Sequence, residues 1–446
     1  MNSELRTSRL KKNILFSFLK NILFLIKGWA GIIQLLLVPI TLFCLGNYEN
    51  GIWMTISSIL IWIDSLDIGL GNGLRNTLSA QIANNEIEKA RESVSSTFFM
   101  LALIIIPICI LLILVINFLD VYTLLNIEES KVPNLITVLS LSIAIVSATF
   151  IFKFIGNVYL ALQLPAVNNL LVVSGQTLTL IGIYMLNILN IHSLMLVALC
   201  YTAAPLIVLL IAYPITFGHY YPNLKPNIQY FNKFAIANLF NIGMKFFILQ
   251  VAGVILFASS NALISYFFTP EKVTLYGIAY RYFSITMLLF TVIAAPFWSA
   301  TTDAYTRKDF DWIKKSMRKL HFLLISLFII LAFMIIFSDP IYHLWVGKSI
   351  NISLELSASM ALYMFIIICS LCYSYILNGI GALKIQLIFT IGAALAYFPI
   401  AYGLSKLLGV CGIVLALSIV NLPGAIANRV QYSRIMNGTA KGIWRK

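Results

Sequence analysis

The chain has 446 residues, of which 60% are apolar and only 10% charged. A soluble domain keeps roughly a quarter of its residues charged to cover its surface, so most of this surface faces something other than water. The formal net charge of +14 does not point to nucleic acid, because the basic residues lie in short segments between long apolar runs and not on one hydrated face.

The first twelve residues carry Arg6, Arg9, Lys11 and Lys12. The apolar run after them holds Lys20 and Lys27 and lacks a small-residue cleavage site, so a retained first helix is expected, not a removed leader. Apolar stretches then recur at 18–45, 50–70, 93–118, 134–158, 166–189, 192–216, 234–262, 273–299, 319–338, 353–378, 384–405 and 409–432. Each is long enough to cross a ~30 Å hydrocarbon core as a helix. The division between the fifth and sixth rests on Asn187, Asn190 and His192.

Basic residues give an independent check on this count. Of the 30 Lys and Arg, Lys131, Lys272, Lys348 and Lys406 fall in segments of one side, and Lys20, Lys27, Lys245 and Arg281 fall within spans. The remaining 22 fall on the other side. The positive-inside rule makes that side cytoplasmic, with both termini inside. The expected fold is all-α integral membrane, with about twelve helices in a bacterial inner membrane.

The longest polar linker between spans, 217–233, divides the chain into a six-helix half at 1–216, a cytoplasmic connection, and a second half at 234–446. The stretch from Glu86 to Ser93 is echoed by the stretch from Asp309 to Ser316 at an offset of half the chain. Both halves start on the same side, so a repeat would be parallel.

No GxxxxGK[ST] phosphate loop is present, which argues against ATP hydrolysis by that route. The histidines at 192, 219, 321 and 343 show no metal spacing. Cys369 and Cys372 form a CxxC without a second pair or a nearby His, so they and Cys44, Cys109, Cys200 and Cys411 read as unpaired thiols in apolar surroundings. The connecting segments leave no room for a catalytic domain. No enzyme activity, cofactor or metal is expected.

The charges inside the spans carry the functional reading, because an ionised group near the bilayer centre is costly unless it faces a cavity or a partner. Lys20 can snorkel to the headgroups from the start of the first helix. Lys27 is on the first span, Asp64 and Asp67 on the second, Lys245 on the seventh and Arg281 on the eighth. Gln34 lies seven residues from Lys27, and Asn238 and Asn241 lie seven and four before Lys245, so these polar residues extend the charged faces. Lys27 paired with Asp64 or Asp67 is one reading, in which the acids are structural. Lys245 and Arg281 have no acid left within the spans to neutralise them. A net positive cleft suits an anion such as a pyrophosphate.

The segment Asp67-Ile-Gly-Leu-Gly-Asn-Gly-Leu-Arg-Asn76, with Tyr276-Gly277 and Tyr48-x-x-Gly51, resembles the Wzx-type polysaccharide flippases of the multidrug/oligosaccharidyl-lipid/polysaccharide exporter superfamily. The resemblance spans the chain in length, helix number and halves. It implies a MATE-like pair of six-helix lobes with a cleft lined by helices 1, 2, 7 and 8, the same four that hold the charges. It further implies an undecaprenyl-pyrophosphate-linked oligosaccharide as substrate, flipped from the inner to the outer leaflet. Membrane lipids, a polysaccharide polymerase and glycosyltransferases would be its partners. Coupling to H+ or Na+ follows for the superfamily, with Asp64 or Asp67 as candidates. The glycines of the 67–76 segment are expected to form a tight exit from the second helix. Two alternatives stay open. A drug/cation antiporter of the same superfamily would be expected to have an acidic cleft. A peptidoglycan-precursor flippase shares the cationic cavity but carries extra helices.

Overall fold

Within hydrocarbon no water can satisfy backbone N–H and C=O groups, so each long apolar run has one outcome among helices and closed barrels. The computed structural model describes residues 2–64, 70–162, 164–232, 259–348 and 350–445, and the regular elements among them are all helical. Ten helices among the described residues are long and apolar enough to cross a membrane.

The chain divides into two compact units, Met1–Ile248 and Leu249–Lys446. In the first unit, α1 (Asn2–Asp64) runs through a break at Gly46, where φ is 67°. That left-handed conformation carries no penalty for a residue without Cβ. Its candidate span Gly28–Ile61 has 34 residues, about 51 Å at 1.5 Å per residue, more than a ~30 Å core requires. The break therefore divides it into the first and second expected spans. After it come α2 (Leu70–Ala83), α3 (Ile87–Phe118), α4 (Val121–Leu125), α5 (Leu135–Phe152), α6 (Phe154–Ala161), α7 (Pro165–Ile188) and α8 (Leu194–Pro214). The second unit contains α9 (Pro270–Thr306), α10 (Phe310–Ile336), α11 (Ser338–Val346), α12 (Leu354–Ile380), α13 (Lys384–Leu408) and α14 (Val410–Met436). The expected span 234–262 lies outside the described residues except at its end, where 259–262 are helical. The other expected spans each meet one candidate helix, and α5 and α6 together form the fourth.

The α7–α8 division falls where the polar residues predict. α7 ends at Ile188, Asn190 takes the left-handed φ of 53°, and Ser193 caps α8 by accepting from the Leu196 amide at 3.5 Å. His192 Nδ1 reaches the Cys44 carbonyl at 2.7 Å, and the Asn187 side-chain amide donates to the Ile40 carbonyl at 2.9 Å. These bonds tie the α7–α8 turn to α1 just before the Gly46 break.

Of the glycine-bearing segment 67–76 expected to form the exit from the second helix, 67–69 lie outside the described residues, and Leu70–Asn76 is the beginning of a new helix, α2. Leu74 and Leu78, four residues apart on one face, are fully buried in the cluster that α2 shares with α3 and α6. That burial holds the segment helical despite the unfavourable propensity of Gly71 and Gly73.

The echo between the halves has a structural counterpart. Asn85 (φ 58°) precedes the α3 N-cap Glu86, and Lys308 (φ 61°) precedes the α10 N-cap Asp309. The cap amides bond back to Gln81 and Ala304 carbonyls, each at 2.8 Å, and the preceding amides to Ile82 and Tyr305 carbonyls, each at 3.1 Å. The two turns have the same backbone geometry at the same offset.

The stretch after α8 packs on its own unit. A π-helical turn at Ile215–Tyr220 stacks Phe217 on Phe154 of α6, and short 3-10 turns at Pro222–Leu224 and Ile228–Tyr230 lie against the start of α3. There the Ser95 and Ser96 hydroxyls accept from the Asn227 and Asn232 amides, at 3.1 and 2.8 Å. The Arg91 guanidinium stands 4.3 Å from the Tyr230 ring centre.

Candidate transport site

Gln34 and Arg281 are the two sequence-marked site residues whose side chains are described. Lys27 and Asp64 lie on α1 with side chains outside the description. Asp67, Asn238, Asn241 and Lys245 lie outside the described residues entirely. Gln34 is exposed on α1 between apolar neighbours.

Arg281 is set by α9, which opens with Pro270 and carries Glu271 in its first turn, both favourable at a helix N-terminus. One face of α9 is buried at Thr274, Ile278, Ala279, Tyr282, Phe283, Thr286 and Phe290. Arg281 belongs to the other stripe, with Gly277, Tyr280, Ser284 and Leu288, and is half-buried. It stands eight residues beyond Val273, about 12 Å into the apolar part of the helix. Among the described residues it makes no ion pair. Its neighbour Tyr282 fixes the register of α9 by donating its hydroxyl to the Met334 carbonyl of α10 at 3.3 Å, with its ring centre 5.2 Å from that of Tyr342.

A second polar feature was not visible from the sequence. A cavity of about 190 Å³ opens among α12, α13 and α14, bordered by Ser370, Ser374, Gln386, Thr390, Asn421 and Asn428 with apolar side chains between them. At roughly 30 Å³ per water this is space for about six waters or one polar group of that size. Asn428, 2% exposed, donates through Nδ2 to Ser370 Oγ at 3.1 Å and Ser374 Oγ at 3.0 Å. Its Oδ1 and the Gln386 Oε1 are buried acceptors with no hydrogen-bond partner among the described residues. The lining thus offers hydroxyl and amide groups without a formal charge. The sequence signal was present but weak: Ser370 and Ser374 are four apart, and Asn421 and Asn428 seven apart, each pair on one helix face.

No group of three or more His, Cys, Asp or Glu that could hold a metal occurs among the described residues. The six cysteines are free, with Cys44 and Cys372 buried. Tyr48, marked in the sequence as part of a familiar pair, instead accepts from the Glu128 amide at 2.8 Å and stacks under Lys131, with 4.9 Å from Nζ to the ring centre. It fastens the turn after α4 to α1. The short helix α4 itself starts at Asp120, its N-cap, which accepts from the Thr123 hydroxyl and amide. Both bonds hold its carboxyl below the usual range.

The MatE family model matches residues 247–403. A search of curated proteins found no match to the chain. Among solved structures, the inward-facing conformation of a multidrug resistance MATE family transporter of the MOP superfamily aligns with a TM-score of 0.75 at 14% identity, covering 91% of this chain and 95% of that one. An outward-facing conformation of such a transporter aligns at TM-score 0.59 and 15% identity, covering 94% and 97%. A MATE in complex with MaD3S aligns at 0.59 and 16%, again covering 94% and 97%. The fold of this chain is therefore MATE-like, an all-helical multi-pass membrane fold.

Proposed function

We propose that this chain is a transporter of the MATE type that moves an undecaprenyl-pyrophosphate-linked oligosaccharide from the inner to the outer leaflet by alternating access. The observation that carries this reading is Arg281: a guanidinium about 12 Å into an apolar helix, with no ion pair among the described residues. Such a group is retained against its insertion cost where it meets an anion or lines a wet path. A pyrophosphate passing through hydrocarbon needs cations in place of its water, and guanidinium binds phosphate oxygens in a fork geometry. The uncharged hydroxyl and amide lining of the α12–α14 cavity is chemistry that hydrogen-bonds sugar hydroxyls. Lys27 and Lys245 would add positive charge on the same path, and Asp64 or Asp67 would couple the cycle to H+ or Na+.

A second reading is a drug/cation antiporter, and on the comparisons alone it is the better supported. The solved structures of like fold include multidrug resistance transporters, matched over more than nine-tenths of this chain. Against it stands the sign of the charge: an Arg in a span, with no ion pair among the described residues, repels a cation. Binding by purified protein separates the two. A lipid pyrophosphate should compete with a labelled lipid-linked glycan and an organic cation should not. Binding of the organic cation with indifference to the lipid pyrophosphate would overturn the flippase reading. Rescue of a surface-polysaccharide mutant but not a peptidoglycan mutant would exclude the peptidoglycan-precursor alternative.

A further inference from the structure

The helix α10 begins before its span does, and the extra length is built in two faces. Ile313, Ser316, Met317 and Leu320 are buried, three of them in the apolar cluster with α9 and α12. Lys314, Lys315, Arg318 and Lys319 are exposed. These four cations occupy six consecutive positions and make no ion pair among the described residues, although Asp311 stands three and four places before the two lysines.

Local helix energetics do not account for the cluster. Lys314 and Arg318, and Lys315 and Lys319, are like charges four residues apart, a spacing that destabilises a helix. The positions lie near the N-terminal end, where the macrodipole favours anions. The acids that do serve that end are already in place: Asp309 Oδ1 accepts from the Trp312 amide at 2.9 Å, and Asp311 sits in the first turn. An external anion would relieve the repulsion.

Depth identifies the anion. From Leu320 to Ile336 the helix is almost wholly apolar. Counting back from Leu320 at 1.5 Å per residue, the cations span a zone about 9 Å deep, enough to reach through the ~5–8 Å headgroup layer on one side of a ~30 Å core. We infer that Lys314, Lys315, Arg318 and Lys319 form a binding site for anionic phospholipid headgroups at the membrane entry of α10. The phosphates of such lipids lie at the level of the ammonium and guanidinium groups. The lysine and arginine stems can lie along the helix toward them. Headgroup binding would brace the entry of α10 against its neighbours α9 and α12. The inference does not depend on what the protein transports.

The test uses the full-length protein in nanodiscs of phosphatidylcholine with increasing phosphatidylglycerol, reading the thermal-unfolding midpoint. The wild type should gain stability as phosphatidylglycerol is added, with saturation. In the variant Lys314→Gln, Lys315→Gln, Arg318→Gln and Lys319→Gln, the midpoint in pure phosphatidylcholine should be unchanged or slightly higher. Its half-saturating phosphatidylglycerol fraction should rise by more than about tenfold, since each surface cation contributes roughly fivefold in affinity. A charge-retaining variant, with Arg at the three lysines, should respond as the wild type does. Removing the same type of charge elsewhere, with Lys89→Gln and Arg91→Gln, should leave the response intact. Inorganic phosphate added in phosphatidylcholine should not reproduce it. A quadruple variant that keeps the wild-type response would overturn the site, as would equal loss in the Lys89/Arg91 variant or full replacement by free phosphate.

Discussion

Replacing Arg281 by Gln tests the cationic path through two readouts of different sign. If Arg281 were one half of a structural ion pair, removing it would strand a buried carboxylate and cost about 3–5 kcal/mol. The structure records no ion pair for it among the described residues, and places it about 12 Å beyond the first apolar residue of α9, toward the middle of a ~30 Å core. An Arg there opposes insertion by roughly 2.5–3.5 kcal/mol. Arg281→Gln should therefore leave the thermal midpoint and membrane abundance unchanged or raise them. Transport should move the other way. Loss of a charged hydrogen bond to phosphate, about 1.5–3 kcal/mol, corresponds to roughly a 10- to 150-fold fall in rate or affinity for the lipid pyrophosphate. Arg281→Lys keeps the charge without the fork and should fall between. The assay pairs surface-glycan export in a strain lacking its own flippase with unfolding of the purified variant. A drop in midpoint of the ion-pair size, or full export by Arg281→Gln at normal abundance, would refute the reasoning.

Further outcomes follow from other parts of the chain. A Cβ at Gly379 on α12 would stand 2.6 Å from the Trp298 carbonyl oxygen and 2.8 Å from Thr301 Cβ on α9. Gly379→Ala should thus destabilise by about 1–3 kcal/mol through overpacking, read as a lower midpoint, and an unchanged midpoint would contradict that close approach. Asn428→Ala removes two hydrogen bonds to α12; at the roughly 0.6 kcal/mol typical of such bonds in membranes, the loss should be about 1 kcal/mol, measured by unfolding in detergent. Single cysteines at Lys131 and Lys348, in a background without native thiols, should react with an impermeant reagent added outside, and one at Lys308 should not; labelling at Lys308 in sealed cells would reverse the orientation. Asp64→Asn and Asp67→Asn should each lower transport and alter its dependence on pH or sodium; normal transport by both across pH would remove the pair from the coupling mechanism.

The positions of the membrane helices were legible because their cause is local. A backbone in hydrocarbon must satisfy its own hydrogen bonds, so an apolar run of sufficient length commits to a helix wherever it later packs. This is why the α7–α8 division could be read from Asn187, Asn190 and His192, and why α12, α13 and α14 begin and end within a few residues of the expected limits. Arg281 stood out in the sequence for a related reason, since a charge in an apolar run is conspicuous whatever surrounds it.

Tertiary packing decided what local composition left ambiguous. Gly71 and Gly73 read as part of an exit, and burial of Leu74 and Leu78 against α3 and α6 makes Leu70–Asn76 helical. The break in α1 at Gly46 falls in the gap expected between the first two spans, and tertiary bonds from His192 and Asn187 take hold of Cys44 and Ile40 just before it. The α12–α14 cavity belongs to no single segment. Ser370, Gln386 and Asn428 are each an ordinary polar residue in an apolar helix, and they become a lining only where three helices meet. A hydrophobic run determines that it will be a helix; which of its faces meets a neighbour, and where polar groups converge, depends on contacts between residues distant in the chain.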